Sequence, residues 1–311
     1  MNKLKLAVLM TCHNRRETTL RCLETLYNQQ LPVGVSYNVF LVDDGCTDGT
    51  GAAVKKAHPE VHVIQGSGDL FWCNGMRLAW EHAAKEDPDF YLWLNDDVQL
   101  HDNAVEKLLS CWLSVVEGAP DGRKVVGCPL SVVEESQATH QHINPTTDDF
   151  SKAVIIVGST CDPETGERTY GGQRRLGKHP ASLVPVFPKD VPSGCDTFQG
   201  NVVLVSRAVY QKVGNMHAFN HAIGDIDYGL RAKSAGCALF VAPGFLGACN
   251  QNRKEQISRH LSLRERWRLV SKRLPPGDWF KFLWAHAGWR TIIYWPKPYI
   301  RIFVLGTGHQ K

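Results

Sequence analysis

Apolar residues occur first in short unbroken runs and then at three- and four-residue spacing, and the two patterns alternate along the chain. Residues 6–10 form a continuous apolar run, as a strand buried on both faces requires. Residues 17–29 carry Leu20, Leu23, Leu26 and Tyr27, the stripe of a helix with one buried face. A second strand is predicted over 37–42, a short helix over 50–57, a third strand over 61–64 and a helix over 75–85. Residues 90–94 and 125–128 read as strands on either side of a helix over 104–116. This β-α-β-α-β order predicts an α/β fold whose mostly parallel, twisted sheet is flanked by helices.

From residue 131 to 195 the periodicity fades, and Asp162-Pro163-Glu164-Thr165-Gly166 reads as a turn between two short strands. Order returns with a strand over 200–206, helices over 207–213 and 226–234, and a strand over 238–242. From Ser262 the string SLRERWRLVSKRL is a basic amphipathic helix, and beyond Pro275-Pro276-Gly277 the segment holds Trp279, Trp284, Trp289 and Trp295. The expected division is one domain over residues 1–260 and a helical extension over 261–311.

Composition narrows the class. With 311 residues, 43% hydrophobic and 21% charged, the chain is globular in type rather than disordered or fibrous. A net charge of +4 is too mild to point to nucleic acid, yet it suits an anionic lipid or phosphate surface. The ten cysteines include no Cys-x-x-Cys pair and sit mostly in apolar or helical runs. They read as reduced thiols in a cytoplasmic compartment rather than a zinc knuckle or a disulfide frame. The N-terminal apolar run meets Cys12-His13-Asn14-Arg15-Arg16 at once, which favours a buried strand over a signal peptide. No stretch reaches the roughly 18 apolar residues of a spanning helix.

Ligands of open α/β sheets bind beyond the carboxyl ends of the strands, and three predicted strand ends carry dense polar strings. They are Thr11-Cys12-His13-Asn14-Arg15, Asp43-Asp44-Gly45-Cys46-Thr47-Asp48-Gly49-Thr50 and Asn95-Asp96-Asp97. Adjacent carboxylates at a strand exit repel unless a cation neutralises them, and Mg²⁺ or Mn²⁺ held by one or two carboxylates plus phosphates fits such a site. The plainer alternatives are a helix cap for Asp96-Asp97 and turn chemistry for Asp43-Asp44. A carboxylate at Asp43 or Asp44 could also accept from a nucleobase N–H or a ribose hydroxyl. Neither a Gly-x-Gly-x-x-Gly nor a Gly-x-x-x-x-Gly-Lys string follows strand one, which removes the usual phosphate cradles.

Five strings in order, TCHNR, LVDDGCTDGT, NDD, GNVVLVSRAVYQKVG and GDIDYGLRAKSAG, resemble the family-two inverting nucleotide-sugar glycosyltransferases of GT-A type fold. The resemblance covers residues 5–250 and is nearest to bacterial enzymes that build surface polysaccharide. It implies a nucleoside-diphosphate sugar donor, UDP- or dTDP-linked, and a carbohydrate or polyprenyl-linked acceptor. Thr11 and Asn14 would line the nucleoside pocket, Asp44 would face the base with Asp43 beside it, and Asp97 would hold the divalent cation. Asn95 stands where the family's first metal-motif carboxylate is expected, Asp96 between them. Asp225 would be the general base, although Gly224 replaces the Glu that commonly precedes it, and Asp227 follows two residues later. Asp225 could equally cap the helix it precedes.

Other residues are candidates as well. Asp69 and Trp72 lie in a Gly-rich, aromatic segment opening a helix, where backbone N–H groups can hold phosphate and Trp72 can stack on a sugar; Trp72 as a buried anchor is the alternative. The 198–201 segment could touch donor or acceptor, His217 and His221 could assist metal or diphosphate, and Arg253 could contact the diphosphate. Tryptophans interleaved with Lys281, Arg290, Lys297 and Arg301 suit an anionic membrane surface, the inner face of the cytoplasmic membrane; a cap on the core or a dimer contact would use the same residues. Two rivals to a transferase remain: a sugar nucleotidyltransferase, which would want a glycine-rich basic loop after strand one, and a non-catalytic carbohydrate-binding protein with a degenerate site.

Overall fold

A computed structural model describes residues 4–118, 151–220, 223–251 and 261–304. The strand expected over 125–128, together with His221 and Arg253, lies outside these residues. The first part of the chain runs β1 (Leu4–Cys12), α1 (Arg16–Tyr27), β2 (Val35–Asp43), α2 (Thr50–Ala57), β3 (His62–Gln65), α3 (Phe71–Ala83), β4 (Phe90–Leu94), the two-residue β5 (Gln99–Leu100) and α4 (Ala104–Glu117). Then come β6 (Val154–Cys161), five short strands β7 (Arg168–Tyr170), β8 (Gly172–Arg175), β9 (Leu183–Pro185), β10 (Ser193–Gly194) and β11 (Thr197–Phe198), and β12 (Val202–Ser206). Two helices, α5 (Arg207–Val213) and α6 (Gly224–Ser234), precede the long strand β13 (Ala238–Ala248). The C-terminal part is helical: α7 (Leu263–Arg273), α8 (Pro276–Ala287), α9 (Thr291–Tyr294) and α10 (Lys297–Val304).

The main sheet has the order β10-β13-β6-β12-β4-β1-β2-β3. Strands β4, β1, β2 and β3 are mutually parallel, as the alternating pattern predicts, and β13 is parallel to β6. β12 runs antiparallel to both β4 and β6 and joins the two parallel parts. The pairing of β4 with β12 sets Leu94 opposite Val202, so the Asn95-Asp96-Asp97 exit of one strand lies beside the 198–201 entry of the other.

Side-chain alternation explains the apolar runs. From β1, Ala7 and Leu9 join a cluster with Trp80, Trp93, Phe198 and Tyr228, whereas Leu6, Val8 and Met10 join a second cluster with Leu23, Leu108 and Trp112. Helices α3 and α6 feed the first cluster and α1 and α4 the second, so the strand is covered on both faces. On α1 the buried set is Thr19, Cys22, Leu23 and Leu26, the three-and-four spacing of a one-sided helix.

The tail packs into the first cluster through Val270, Trp279, Phe282, Leu283, Tyr299 and Ile302. Helix α7 opens with a capping box in which Ser262 accepts from the Glu265 backbone N–H and the Glu265 carboxylate accepts from the Ser262 N–H. All nine described cysteines are free, and seven of them are buried.

Candidate active site

The exit of β1 is a backbone scaffold as much as a binding surface. Asn14 has φ +53°, a left-handed turn that Asn tolerates better than most residues. Its side-chain oxygen accepts from the Thr47 N–H at 2.7 Å and the Asp48 N–H at 3.3 Å. This ties the loop after β2 to the end of β1. His13 Nδ1 lies 2.6 Å from the carbonyl oxygen of Asp44. Thr11 is buried against Gly75 of α3, where an added Cβ would come within 2.2 Å of the Thr11 hydroxyl. Only a glycine lets α3 lie this close to β1.

Both carboxylates of the second string turn inward. Asp43 is 6% exposed and accepts from the Cys46 N–H at 2.8 Å. Asp44 is 2% exposed, and its two oxygens accept from the backbone N–H groups of Gly68, Leu70 and Phe71 at 2.8, 3.0 and 3.1 Å. The first amides of α3, expected to be open to phosphate, therefore already hold an anion, the side chain of Asp44. The helix also begins at Phe71, with φ +54°, four residues before the predicted start. Asp69 is exposed at the tip of the loop that Asp44 braces. Asp44→Ala would orphan three donors, one of them at the helix start. We expect a loss of about 2 kcal/mol, read by urea melts, with faster amide exchange confined to residues 66–71; unchanged exchange there would refute the bracing role.

At the third strand end, Arg15 Nη1 bridges Asp96 at 3.1 Å and Asp97 at 3.0 Å. Asp96 is buried and also accepts from the Thr19 hydroxyl. Burial pushes its pKa up to about 6, an effect that Arg15 partly offsets. The pair is therefore neither a helix cap nor a bare repulsive doublet, since a guanidinium already balances it. Asn95 accepts from the Trp72 indole N–H at 2.6 Å. Trp72 is half-buried and stands edge-on to Trp93.

Asp225 lies in the first turn of α6, inside the helix rather than before it. It accepts from the Gly200 N–H at 3.0 Å and from the Ile226 N–H at 2.8 Å, and burial raises its pKa above the ordinary carboxylate range. Gly200 is pressed against Trp72, whose ring would be 2.7 Å from an added Cβ. The strand-end groups are thus joined by continuous contact. Asp44 holds Phe71, the neighbour of Trp72; Trp72 holds Asn95 and covers Gly200; Gly200 holds Asp225. Cys249 completes the ring, with its thiol 3.5 Å from Asp97 and 3.8 Å from the Asn201 side chain.

Asp227 has a different place from its neighbour Asp225. It is fully buried and meets Arg231 Nε at 2.8 Å, His286 Nε2 at 2.8 Å and His217 Nδ1 at 3.1 Å. Burial works to raise its pKa, but the hydrogen bond from His286 and the Arg231 charge prevail and lower it. His217, expected near metal or diphosphate, belongs to this cluster. A cavity of about 350 Å³ adjoins it, lined by His217, Phe219, Asp227, Phe280, Lys281 and Trp284 among others.

Among the described residues, one cluster of side chains and one single carboxylate are candidates to hold a cation. Cys12, Asp43 and Cys46 offer ligand atoms within 4.8 Å of one another. Burial raises both thiol pKa values, and one Asp43 oxygen is spent on the Cys46 N–H, which suits neither Mg²⁺ nor Mn²⁺. Asp97 is the better hard-cation ligand. Its side chain is 20% exposed, it lines a pocket of about 330 Å³ with Arg15, Thr18 and Arg21, and among the described residues its hydrogen-bonding partners are Arg15 and the weak Cys249 donor. Sequence reasoning passed over Arg15 and Cys249 as partners of Asp97; the only signal was the position of Arg15 just after a strand end.

Residues 7–118 match the family described as Glycosyl transferase family 2. No curated protein matches the chain. Among solved structures, the chain is similar to S. aureus TarS, with 11% identity and a TM-score of 0.50, covering 86% of this chain but 39% of that one. It is also similar to residues 1–349 of TarS in complex with UDP-GlcNAc, with 12% identity and a TM-score of 0.52 over 89% of this chain and 67% of that one. The mannosyltransferase PcManGT from Pyrobaculum calidifontis, in complex with GDP-Man and Mn²⁺, aligns at 14% identity with a TM-score of 0.48, covering 100% of this chain and 77% of that one. The chain thus spans about two fifths of the length of the first of these. Residues 7–118 thus resemble the family 2 glycosyltransferases, and the fold, with its parallel β1–β4 sheet and antiparallel β12, is similar to that of TarS residues 1–349.

Proposed function

We propose that the protein transfers a sugar from a nucleoside-diphosphate donor, UDP- or dTDP-linked, to a carbohydrate or lipid-linked glycan hydroxyl with inversion. The observation that carries this reading is the unbroken path of contacts linking Asp44, Trp72, Asn95, Asp97 and Asp225. Residues from four remote stretches meet there on one sheet rim, where α/β folds bind ligands. Thr11, Asn14, Asp43 and Asp44 shape the nucleoside side of the site, Asp44 bracing the loop with both carboxylate oxygens and Asp43 with one. Asp69 and Trp72 lie on the loop and helix start that Asp44 braces.

Asp97 would hold a divalent cation through one carboxylate oxygen, the remaining ligands coming from donor phosphates and water. The cation, Mn²⁺ or Mg²⁺, supplies charge stabilisation for the departing diphosphate. Arg15, held between Asp96 and Asp97, is a second positive charge at the same place. Asp225 removes the proton of the acceptor hydroxyl. Its two backbone hydrogen bonds fix the carboxylate, and its raised pKa makes it a stronger base than an exposed aspartate. One base opposite the leaving group suits direct displacement and so an inverted product.

The test is donor turnover and a thermal-shift panel with UDP-, dTDP- and GDP-sugars, each with Mn²⁺, Mg²⁺ or EDTA. A uracil or thymine nucleotide is expected to give the largest shift, and EDTA to lower turnover by at least about tenfold. Asp97→Asn should lower apparent Mn²⁺ affinity. Turnover indifferent to EDTA would remove the cation from the reading, and a guanine preference would remove the nucleoside assignment.

A further inference from the structure

We propose that the helical tail docks the protein on an anionic lipid bilayer through the face formed by α7, α8, α9 and α10. The inference is independent of the transferase reading and rests on surface chemistry. Large apolar side chains in soluble proteins are mostly covered, and contiguous exposed patches mark interaction sites. Here Phe280 is 43% exposed, Trp284 56%, Trp289 64%, Ile292 72%, Ile300 54% and Phe303 65%.

Two of them, Phe280 and Trp284, belong to a run of ring contacts. Trp284 stacks on Phe280, Phe280 meets Trp295, Trp295 meets Tyr299, and Tyr299 meets the exposed Trp267, with centroid distances of 6.0, 6.3, 5.7 and 5.6 Å. Ring contacts that pass through the buried Tyr299 therefore tie the exposed rings of α8 and α7 to α10. Helix α10 is apolar on two sides: Tyr299 and Ile302 are buried in the core, and Ile300 and Phe303 face outward. A helix apolar on both sides has its outer side covered by something in its working state.

Charge identifies the covering. Residues 261–304 hold nine Lys or Arg and two acidic residues, a net +7, which leaves the rest of the chain at −3 against a total of +4. The cations stand among the apolar groups: Arg290 lies over the Trp289 ring at 5.1 Å and Lys297 over Tyr294 at 5.1 Å, with Lys281 and Arg301 exposed beside them. Tryptophan and tyrosine at headgroup depth, flanked by Lys and Arg, are the chemistry of a bilayer interface. A symmetric dimer would set two such cationic faces against each other, which disfavours a second copy as the occupant. No helix among the described residues is long and apolar enough to cross a membrane, so the mode is surface docking.

The experiment is flotation of the full-length protein with phosphatidylcholine vesicles that contain or lack phosphatidylglycerol, with tryptophan emission followed in parallel. Binding is expected with the anionic vesicles, together with a blue shift, and should weaken at high salt. Lys281→Gln/Arg290→Gln/Lys297→Gln/Arg301→Gln should weaken it by at least about tenfold, since each cation near an anionic surface adds to the attraction. Trp284→Ser/Trp289→Ser/Ile292→Ser should abolish the blue shift. All seven positions are exposed or half-exposed, so both variants should keep the wild-type melting temperature. A wild-type chain that stays unbound with both vesicles overturns the proposal, and so does a dimer in sedimentation that the triple variant dissolves.

Discussion

Replacing Asp225 by Asn is expected to lower the rate of sugar transfer by about 10²- to 10⁴-fold, the usual contribution of a positioned general base. Affinity for the donor should stay near wild type. The substitution is nearly isosteric, and the amide oxygen can still accept from Gly200 or Ile226, so the first turn of α6 should hold. Burial raises the Asp225 pKa. Because a base acts only when ionised, the rate of the wild-type enzyme should rise with pH through a value above the usual carboxylate range near 4. Stability has the opposite sign at this residue. A carboxyl whose pKa is raised by folding contributes fully below its unfolded pKa, and the contribution is lost as pH rises through the folded value. Transfer at the wild-type rate by Asp225→Asn would sink its assignment as the base.

The largest effect on stability is expected at Asp227. Its carboxylate is wholly enclosed and receives Arg231 from its own helix, His286 from α8 and His217 from the preceding loop. Asp227→Ala leaves Arg231 and His286, 16% and 6% exposed, without their anion. Removing one partner of a buried ion pair costs about 3–5 kcal/mol, which for a chain of this size lowers the melting temperature by roughly 10 °C. The depressed Asp227 pKa means that its contribution is present above the unfolded value and lost as pH falls through the folded one. Calorimetry of Asp227→Asn, His286→Gln and the double variant measures the coupling directly. Additive effects, within about 0.5 kcal/mol, would show that α8 is held by apolar packing alone.

What the sequence made legible follows from locality. The runs over 6–10 and 90–94 announce strands because neighbouring residues alternate between two buried clusters, and the α1 stripe announces a one-sided helix. The strand-end strings were legible as neighbours because parallel topology alone brings such ends together. The start of α3 was not, since it depends on Asp44, 27 residues upstream of Phe71, capping amides that periodicity cannot see. The loss of the expected phosphate cradle has the same origin. The role of Asp227 was not legible either, because its partner His286 is 59 residues away in the chain. Arg15 was visible as a charge but not as the counter-ion of Asp96 and Asp97, about 80 residues on.

The antiparallel placement of β12 bears on how the protein is made. Strand β4, with all five residues buried, pairs on one side with β1 and on the other with residues 202–206, more than a hundred positions later. While the chain emerges from the ribosome, the family-matching segment up to residue 118 therefore presents a fully apolar, unpaired strand flank until β12 has been synthesised. Such a flank is a ready template for association with other chains. A truncation after residue 118 would accordingly be expected to precipitate.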